Sequence, residues 1–395
     1  MRRSLRHSSL ALAFVAVAAC ETPAQEPADA FVAVDAHAPP TATLDLLFMI
    51  DDSGSMNEEQ ATLESAMPHL LELLATGHDT RGMLPDHAPF DSIRIAVITS
   101  DLGVGTSELS RCDAVGGDDG IFQIDSRFPF QSCDTSYLDD YGARFFDWES
   151  QGPRNVEQVA HDLSCVLTLG TAGCGFEQQL DAPLEALSPA PLPDGGSPFD
   201  WTAPGYAPPV FRGGLYGHGN DPATNGGFLR PDSVLAIVLL SDEDDCSTDM
   251  GARLYSLSDP EIVRTDLNLR CHAYPEMQYS LARFVDGFVG LRREPRRLVF
   301  AAITGVPSES AGLPPSALLA LPAMQETVDP QNPTRLLPVC VSPGGRGVAY
   351  PARRIVGVAE GLEARGAHVT AQTICETDFD AQLDEIARQI FLAAE

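Results

Sequence analysis

A chain of 395 residues with 25 Lys and Arg against 56 Asp and Glu carries a formal charge of -31 at neutral pH. A surface this acidic repels nucleic acid and anionic lipid and attracts cations, so no nucleic-acid partner is expected. The sequence contains no lysine, which excludes lysine Schiff bases, a phosphate-loop lysine and serine–lysine dyads.

Arg2, Arg3 and Arg6 precede an apolar run from Leu10 to Ala19, too short to span a bilayer. The run closes on Val17-Ala18-Ala19-Cys20. Small residues ahead of a cysteine at this place resemble the lipobox of bacterial lipoproteins. The resemblance implies that residues 1–19 are a signal peptide, that Cys20 is the lipidated first residue of the mature chain, and that the lipid alone attaches it to the membrane. An ordinary signal peptide with an incidental cysteine is the alternative. Glu21, where an Asp would signal inner-membrane retention, directs the expectation to the outer membrane of a Gram-negative cell envelope. Residues 20–43 are rich in Ala, Pro, Thr and Asp and read as a flexible tether. Residues 44–395 read as one domain.

Apart from Cys20 the cysteines are Cys112, Cys133, Cys165, Cys174, Cys246, Cys271, Cys340 and Cys375. An even number in an exported chain reads as disulfides, and none sits at zinc-knuckle spacing. Pairing between sequence neighbours, each bridge stapling one long loop, gives Cys112–Cys133, Cys165–Cys174, Cys246–Cys271 and Cys340–Cys375.

From residue 44 onward, apolar runs alternate with helical periodicity. Residues 44–50 form a buried-strand pattern ending at Asp51. Leu63, Met67, Leu70, Leu71 and Leu74 then recur at helical spacing, with Asn57, Glu58 and Glu59 suited to the helix start. Pro68 falls inside that pattern and is expected to kink or split the helix. Further strands are expected over 93–98, 234–240, 298–303 and 368–374, the first two ending at Ser100-Asp101 and Ser241-Asp242. Ile355, Val358 and Leu362 mark one later helix. Phe379, Leu383, Ile386 and Ile390 mark the last, with Thr377 as its cap. The alternation predicts an α/β fold: a doubly wound, mostly parallel sheet with helices on both faces. Segments near 102–155, 188–232 and 305–350 lack periodicity and read as disulfide-stapled insertions on the rim.

The chemistry gathers after the first strand. Asp51-Asp52-Ser53-Gly54-Ser55-Met56 carries oxygen side chains at alternate positions. Such a loop opens into the crevice at the sheet's carboxyl edge. One carboxylate with two hydroxyls is a hard oxygen set suited to magnesium, calcium or manganese. A serine-rich turn capping a helix is the plainer reading of the same residues.

Phe48-Met49-Ile50-Asp51-Asp52-Ser53-Gly54-Ser55-Met56 resembles the signature of the von Willebrand factor type A family. The resemblance implies a metal-ion-dependent adhesion site in which Asp51, Ser53 and Ser55 are joined by a threonine before a helix and an aspartate closing a later strand. Thr171 is the candidate threonine, ahead of Thr168, and Asp242 the candidate aspartate. Glu243 stands where the family has a glycine. The implied cofactor is a divalent cation, magnesium first and calcium or manganese next. The implied partner is a protein or peptide that offers a carboxylate to the metal.

Asp244, Asp245 and Asp249, and separately Asp118 and Asp119, form further acidic groups. They read either as structural calcium sites or as solvated loop acids. No enzymatic activity is expected: neither Gly-x-Ser-x-Gly nor His-Glu-x-x-His occurs. A phosphatase-like site using Asp51 as nucleophile wants a second acid where Ser53 stands. A metal-free structural surface protein is the remaining alternative.

Overall fold

The structure is a computed structural model that describes residues 42–105, 109, 112, 117–125, 133, 144–249, 251–345 and 347–395. The signal segment 1–19, Cys20 and the tether up to residue 41 lie outside the described residues, as do parts of the 102–155 segment.

Strand β1 (Thr43–Ile50) is buried from Leu44 onward, because it runs through the middle of the sheet and has helices over both faces. It pairs in parallel with β2 (Ser92–Thr99) on one side and β4 (Val234–Leu240) on the other, so Phe48 lies beside both Val97 and Val238. A short strand, β3 (Phe146–Glu149), adds antiparallel to β2. Its burial alternates along Phe146, Asp147, Trp148 and Glu149, as an edge strand with one wet face requires. Strands β5 (Leu298–Thr304) and β8 (His368–Thr373) extend the other side in parallel. A two-stranded hairpin, β6 (Cys340–Val341) with β7 (Val348–Ala349), stands apart from the main sheet. The six-stranded order is β3-β2-β1-β4-β5-β8.

The period-two alternation of β1 sends Leu44, Leu46, Phe48 and Ile50 to one face and Leu47 and Met49 to the other. The first face is covered by α1 (Asn57–Thr76), α2 (Val156–Leu167) and α6 (Asp380–Ala394). The second is covered by α3 (Asp181–Leu187), α4 (Leu281–Gly290) and α5 (Arg353–Glu363). The architecture is thus a mostly parallel α/β sheet with helices on both sides.

At Pro68 the split is excluded, and the cap expected for the last helix changes. Helix α1 is not split at Pro68; it runs through as one element. Proline leaves the carbonyl four residues earlier without its helical donor, and here the Ser164 hydroxyl of α2 donates to Glu64 O at 3.5 Å. Thr377 does not cap α6; that helix begins at Asp380 with no side-chain cap.

At the amino end of β1, Asp45 is fully buried yet matched. It accepts from Arg230 Nε at 2.7 Å and from Arg292 Nη2 at 3.2 Å, and Ser233 donates to it as well. Burial lowers Arg292 to about 10 despite the carboxylate beside it. Removing one partner of such a pair typically costs about 3–5 kcal/mol, because the other charge is left buried and uncompensated.

Four disulfides are present. Cys246–Cys271 and Cys340–Cys375 join sequence neighbours, but the expected Cys112–Cys133 and Cys165–Cys174 are replaced by Cys112–Cys174 and Cys133–Cys165. Packing explains the exchange. Cys112 and Cys174 share a rim cluster with Val104, Phe176 and Tyr255. Cys133 instead packs on the sheet face beneath α2, the helix that carries Cys165. Closeness in sequence does not bring residues of two different clusters within bonding reach.

Non-reducing peptide mapping of the oxidised protein should recover these four bridges and no Cys112–Cys133 peptide. Replacing both Cys340→Ser and Cys375→Ser should lower the unfolding free energy by about 2–4 kcal/mol in a denaturant titration.

Candidate metal centre

Strand pairing carries past the end of β1. Asp51 N donates to Leu240 O at 2.9 Å, and Ser241 N donates to Ile303 O at 3.2 Å. These two bonds hold Asp51, Ser241 and Asp242 side by side at the carboxyl ends of β1 and β4. In this sheet order those strands are where the chain reverses its direction of winding, and that is where a doubly wound sheet opens its crevice.

The side chains then converge. Asp51 Oδ1 accepts from Ser53 N at 2.8 Å, and Oδ2 accepts from Ser241 Oγ at 2.7 Å. Ser53 Oγ lies 3.3 Å from Ser55 Oγ, and the Ser55 side chain is near enough to Asp242 to draw its carboxyl down against the effect of burial. Asp51, Ser53, Ser55 and Asp242 are therefore one connected group. Ser53 is buried and Ser55 is exposed, so the group opens to solvent on the Ser55 side. Asp242 Oδ1 is buried with no hydrogen-bond partner among the described residues.

Thr171 sits in a segment laid along this loop. Gln60 Nε2 donates to both Asp51 O and Gly170 O at 2.9 Å, and Gly170 N donates back to Gln60 Oε1 at 3.0 Å. Gly173 N donates to Asp52 O at 2.9 Å. The approach at Gly173 is so close that a Cβ there would fall 2.2 Å from Asp52 Oδ1. Partly exposed Thr171 lies between these anchors. Thr168 turns away, its hydroxyl donating to Cys165 O at 2.8 Å within its own helix.

Three carboxylates that the motif reading did not include act on the group electrostatically. Burial, with the charges of Glu243, Asp51 and Asp242 adding to it, holds Glu177 well above the usual carboxylate range. Burial and Asp51 push Glu243 up to about 7. Burial also raises Glu59, with Glu58 and Asp51 contributing. Among the first set, burial raises Asp51 against hydrogen bonds from Ser241 and Ser53. Asp242 is held well above the ordinary range by burial, then by Asp51 and Glu243. No guanidinium is among the main influences on Asp51, Asp242, Glu177 or Glu243. The one hint of this in the sequence is Glu243 in place of the family's glycine. Glu177 and Gln60 follow no motif, and only the fold brings them here.

The donors fit a hard divalent cation. They are carboxylate and hydroxyl oxygens with no sulfur or imidazole, and among the described residues none of these carboxyls forms an ion pair with a guanidinium. The neighbouring acids are accounted for differently. Asp244 accepts from the backbone N–H groups of Arg354 and Ile355 at the start of α5, at 2.9–3.2 Å. Asp245 accepts from Arg354 Nε at 3.0 Å and Leu180 N at 2.9 Å. Both acids therefore position α5 and the start of α3. A cleft of about 530 Å³ opens beside Glu177 and Glu243, walled by Phe176, Tyr350, Arg353 and Arg354.

The raised carboxyls give a pH signature. Glu243 moves from the usual 4.5 to about 7 in the folded chain. Between those values the folded state holds a proton that the unfolded state has released, so stability falls as pH rises through that window. In chelator, the melting temperature should decline from pH 5 to pH 8, and Glu243→Gln should flatten that decline. A wild-type profile that rises over the same range would contradict the arrangement. No protein-family model matches this chain, and no curated protein matches it.

Proposed function

We propose that the chain is an interaction domain of the von Willebrand factor type A kind, in which Asp51, Ser53, Ser55, Thr171 and Asp242 hold one divalent cation and a partner protein or peptide binds there through a carboxylate. Magnesium is the first choice, since it keeps exchangeable waters; calcium and manganese suit the same oxygens. The observation that carries this reading is Asp242 Oδ1, buried without a hydrogen-bond partner beside Asp51 and two serine hydroxyls. A bound cation would supply a Lewis-acidic contact for the incoming carboxylate. The chain's own part is positional. Ser241 and Ser53 N–H fix Asp51, Gln60 locks the first loop to the segment bearing Thr171, and exposed Ser55 faces the opening.

We read the protein as a binding module and not an enzyme, attached to the outer membrane through lipid on Cys20. The four disulfides support an oxidising compartment. Among the described residues no helix is long and apolar enough to cross a membrane.

Calorimetry with magnesium and manganese tests the reading. Wild type should take up one cation at millimolar concentration or below, and Asp242→Asn and Ser55→Ala should bind at least about tenfold more weakly, on the scale of losing a charge-assisted contact. These substitutions are preferable to Asp51→Ala, which would also remove the acceptors of Ser53 N and Ser241 Oγ that shape the loop. With manganese bound, an Asp-containing peptide should displace metal-bound water and lower the solvent proton relaxation. Absence of cation uptake by wild type would defeat the proposal.

A further inference from the structure

A second group of metal-ligating side chains lies on the α3 face of the sheet. Asp119 comes from the glycine-rich acidic turn, Glu185 from α3, and His218 from the irregular segment before β4. The ring nitrogen of His218 and one carboxylate oxygen from each acid all lie within 4.8 Å of one another. His218 Nε2 and Asp119 Oδ2 are 3.1 Å apart.

The three backbones are fixed before any ligand is considered. His218 N donates to Glu185 O at 2.9 Å, and Gly219 N donates to Ser188 O at 2.9 Å. A Cβ on Gly219 would meet Leu187 O at 2.1 Å, so only glycine lets this segment lie against α3. Asn225 joins the third piece: its Nδ2 donates to Gly120 O at 2.9 Å and to Ala186 O at 3.0 Å, and its Oδ1 accepts from Phe122 N at 3.0 Å. The side-chain geometry is therefore imposed by the fold.

Glu185 supplies an independent observation. One of its carboxylate oxygens is among the three converging ligand atoms, the residue is only 5% exposed, and its main influences are burial and neighbouring charges, with no hydrogen bond among them. Buried acids ordinarily have partners. Arg212 and Arg283 act on it from a distance, but Asp181 and Asp119 oppose them.

We propose that Asp119, Glu185 and His218 form a second cation site, for a transition-metal ion of the zinc class. One imidazole with two carboxylates is a donor set for zinc and its neighbours in the first transition row; magnesium and calcium sites are built from oxygen alone. The three residues leave a coordination position for water. The ion would pin the acidic turn and the segment before β4 onto α3. This site is separate from the centre at Asp51 and does not depend on the reading of that centre.

The test titrates zinc alone into the full mature chain carrying Asp242→Asn, so that the first centre is weakened. Competition against a chromophoric chelator should show one zinc bound at micromolar concentration or tighter. X-ray absorption should show one nitrogen donor of the imidazole kind at about 2.0–2.1 Å. His218→Ala should weaken binding by at least about tenfold and remove the zinc-dependent rise in melting temperature, the loss expected when one of three protein ligands is deleted. Glu185→Gln keeps the size of the buried side chain and should weaken binding similarly, which covers the case in which His218→Ala misfolds. Near-ultraviolet circular dichroism checks folding of each variant. No zinc uptake at micromolar concentration, or uptake undiminished in both variants, would overturn the proposal.

Discussion

Carboxyl groups buried near one another, with no ion pair to a guanidinium among the described residues, are the constraint around which the carboxyl edge of this sheet is organised. Asp51, Glu177, Asp242 and Glu243 meet at the ends of β1 and β4, and their main influences are burial and one another. The same strand shows the alternative. Asp45, six residues before Asp51, is as deeply buried, and it is matched by Arg230 and Arg292 with Ser233 completing its hydrogen bonds. One end of β1 is electrostatically closed. At the other, burial raises the carboxyls and so favours their protonated forms.

The surrounding loops serve that open end. Cys112–Cys174 and Cys246–Cys271 both lie in the rim cluster around Phe176 and Tyr255. That cluster holds the Glu177 and Asp245 segments over the strand ends, where Cys246 N donates to Glu177 O at 3.0 Å. From the other side, Tyr350 N donates to Asp242 O at 2.9 Å. The long segment before α5, stapled by Cys340–Cys375, thus ends against the centre. A parallel sheet needs long crossovers, and here those crossovers have become the walls of a cleft.

Much of this was legible in the sequence for a simple reason: buried parallel strands are uninterrupted apolar runs. Strands β4 and β5 show that pattern, β1 and β2 show it with one charged residue inside, and the oxygen-bearing motif follows the first strand directly. Strand β3 was not legible. Four alternating residues, Phe146 to Glu149, carry too little pattern inside a stretch rich in glycine and acid. The wider centre was hidden because it is non-local. Gln60 reaches Gly170 across 110 residues, and neither belongs to a recognisable spacing. The same holds for Asp119 and His218, which are 99 residues apart. That α1 continues through Pro68 was not legible for a different reason: Ser164 on another helix donates to the carbonyl that the proline leaves without its helical donor, a tertiary contact that local rules cannot anticipate.

The nesting of two bridges bears on how the chain matures. Cys133–Cys165 closes wholly inside the loop spanned by Cys112–Cys174. A polypeptide emerging from its amino end presents Cys112 and Cys133 first among the eight bridge-forming cysteines, and the pair they could form early is absent from the folded protein. An oxidant that joins cysteines in order of appearance would therefore trap this chain in a wrong topology. Escape needs thiolate attack on that bridge and exchange through a mixed disulfide. Correct assembly of the rim thus depends on disulfide shuffling as well as disulfide formation, and a host that oxidises thiols without an isomerase should yield mostly mispaired protein.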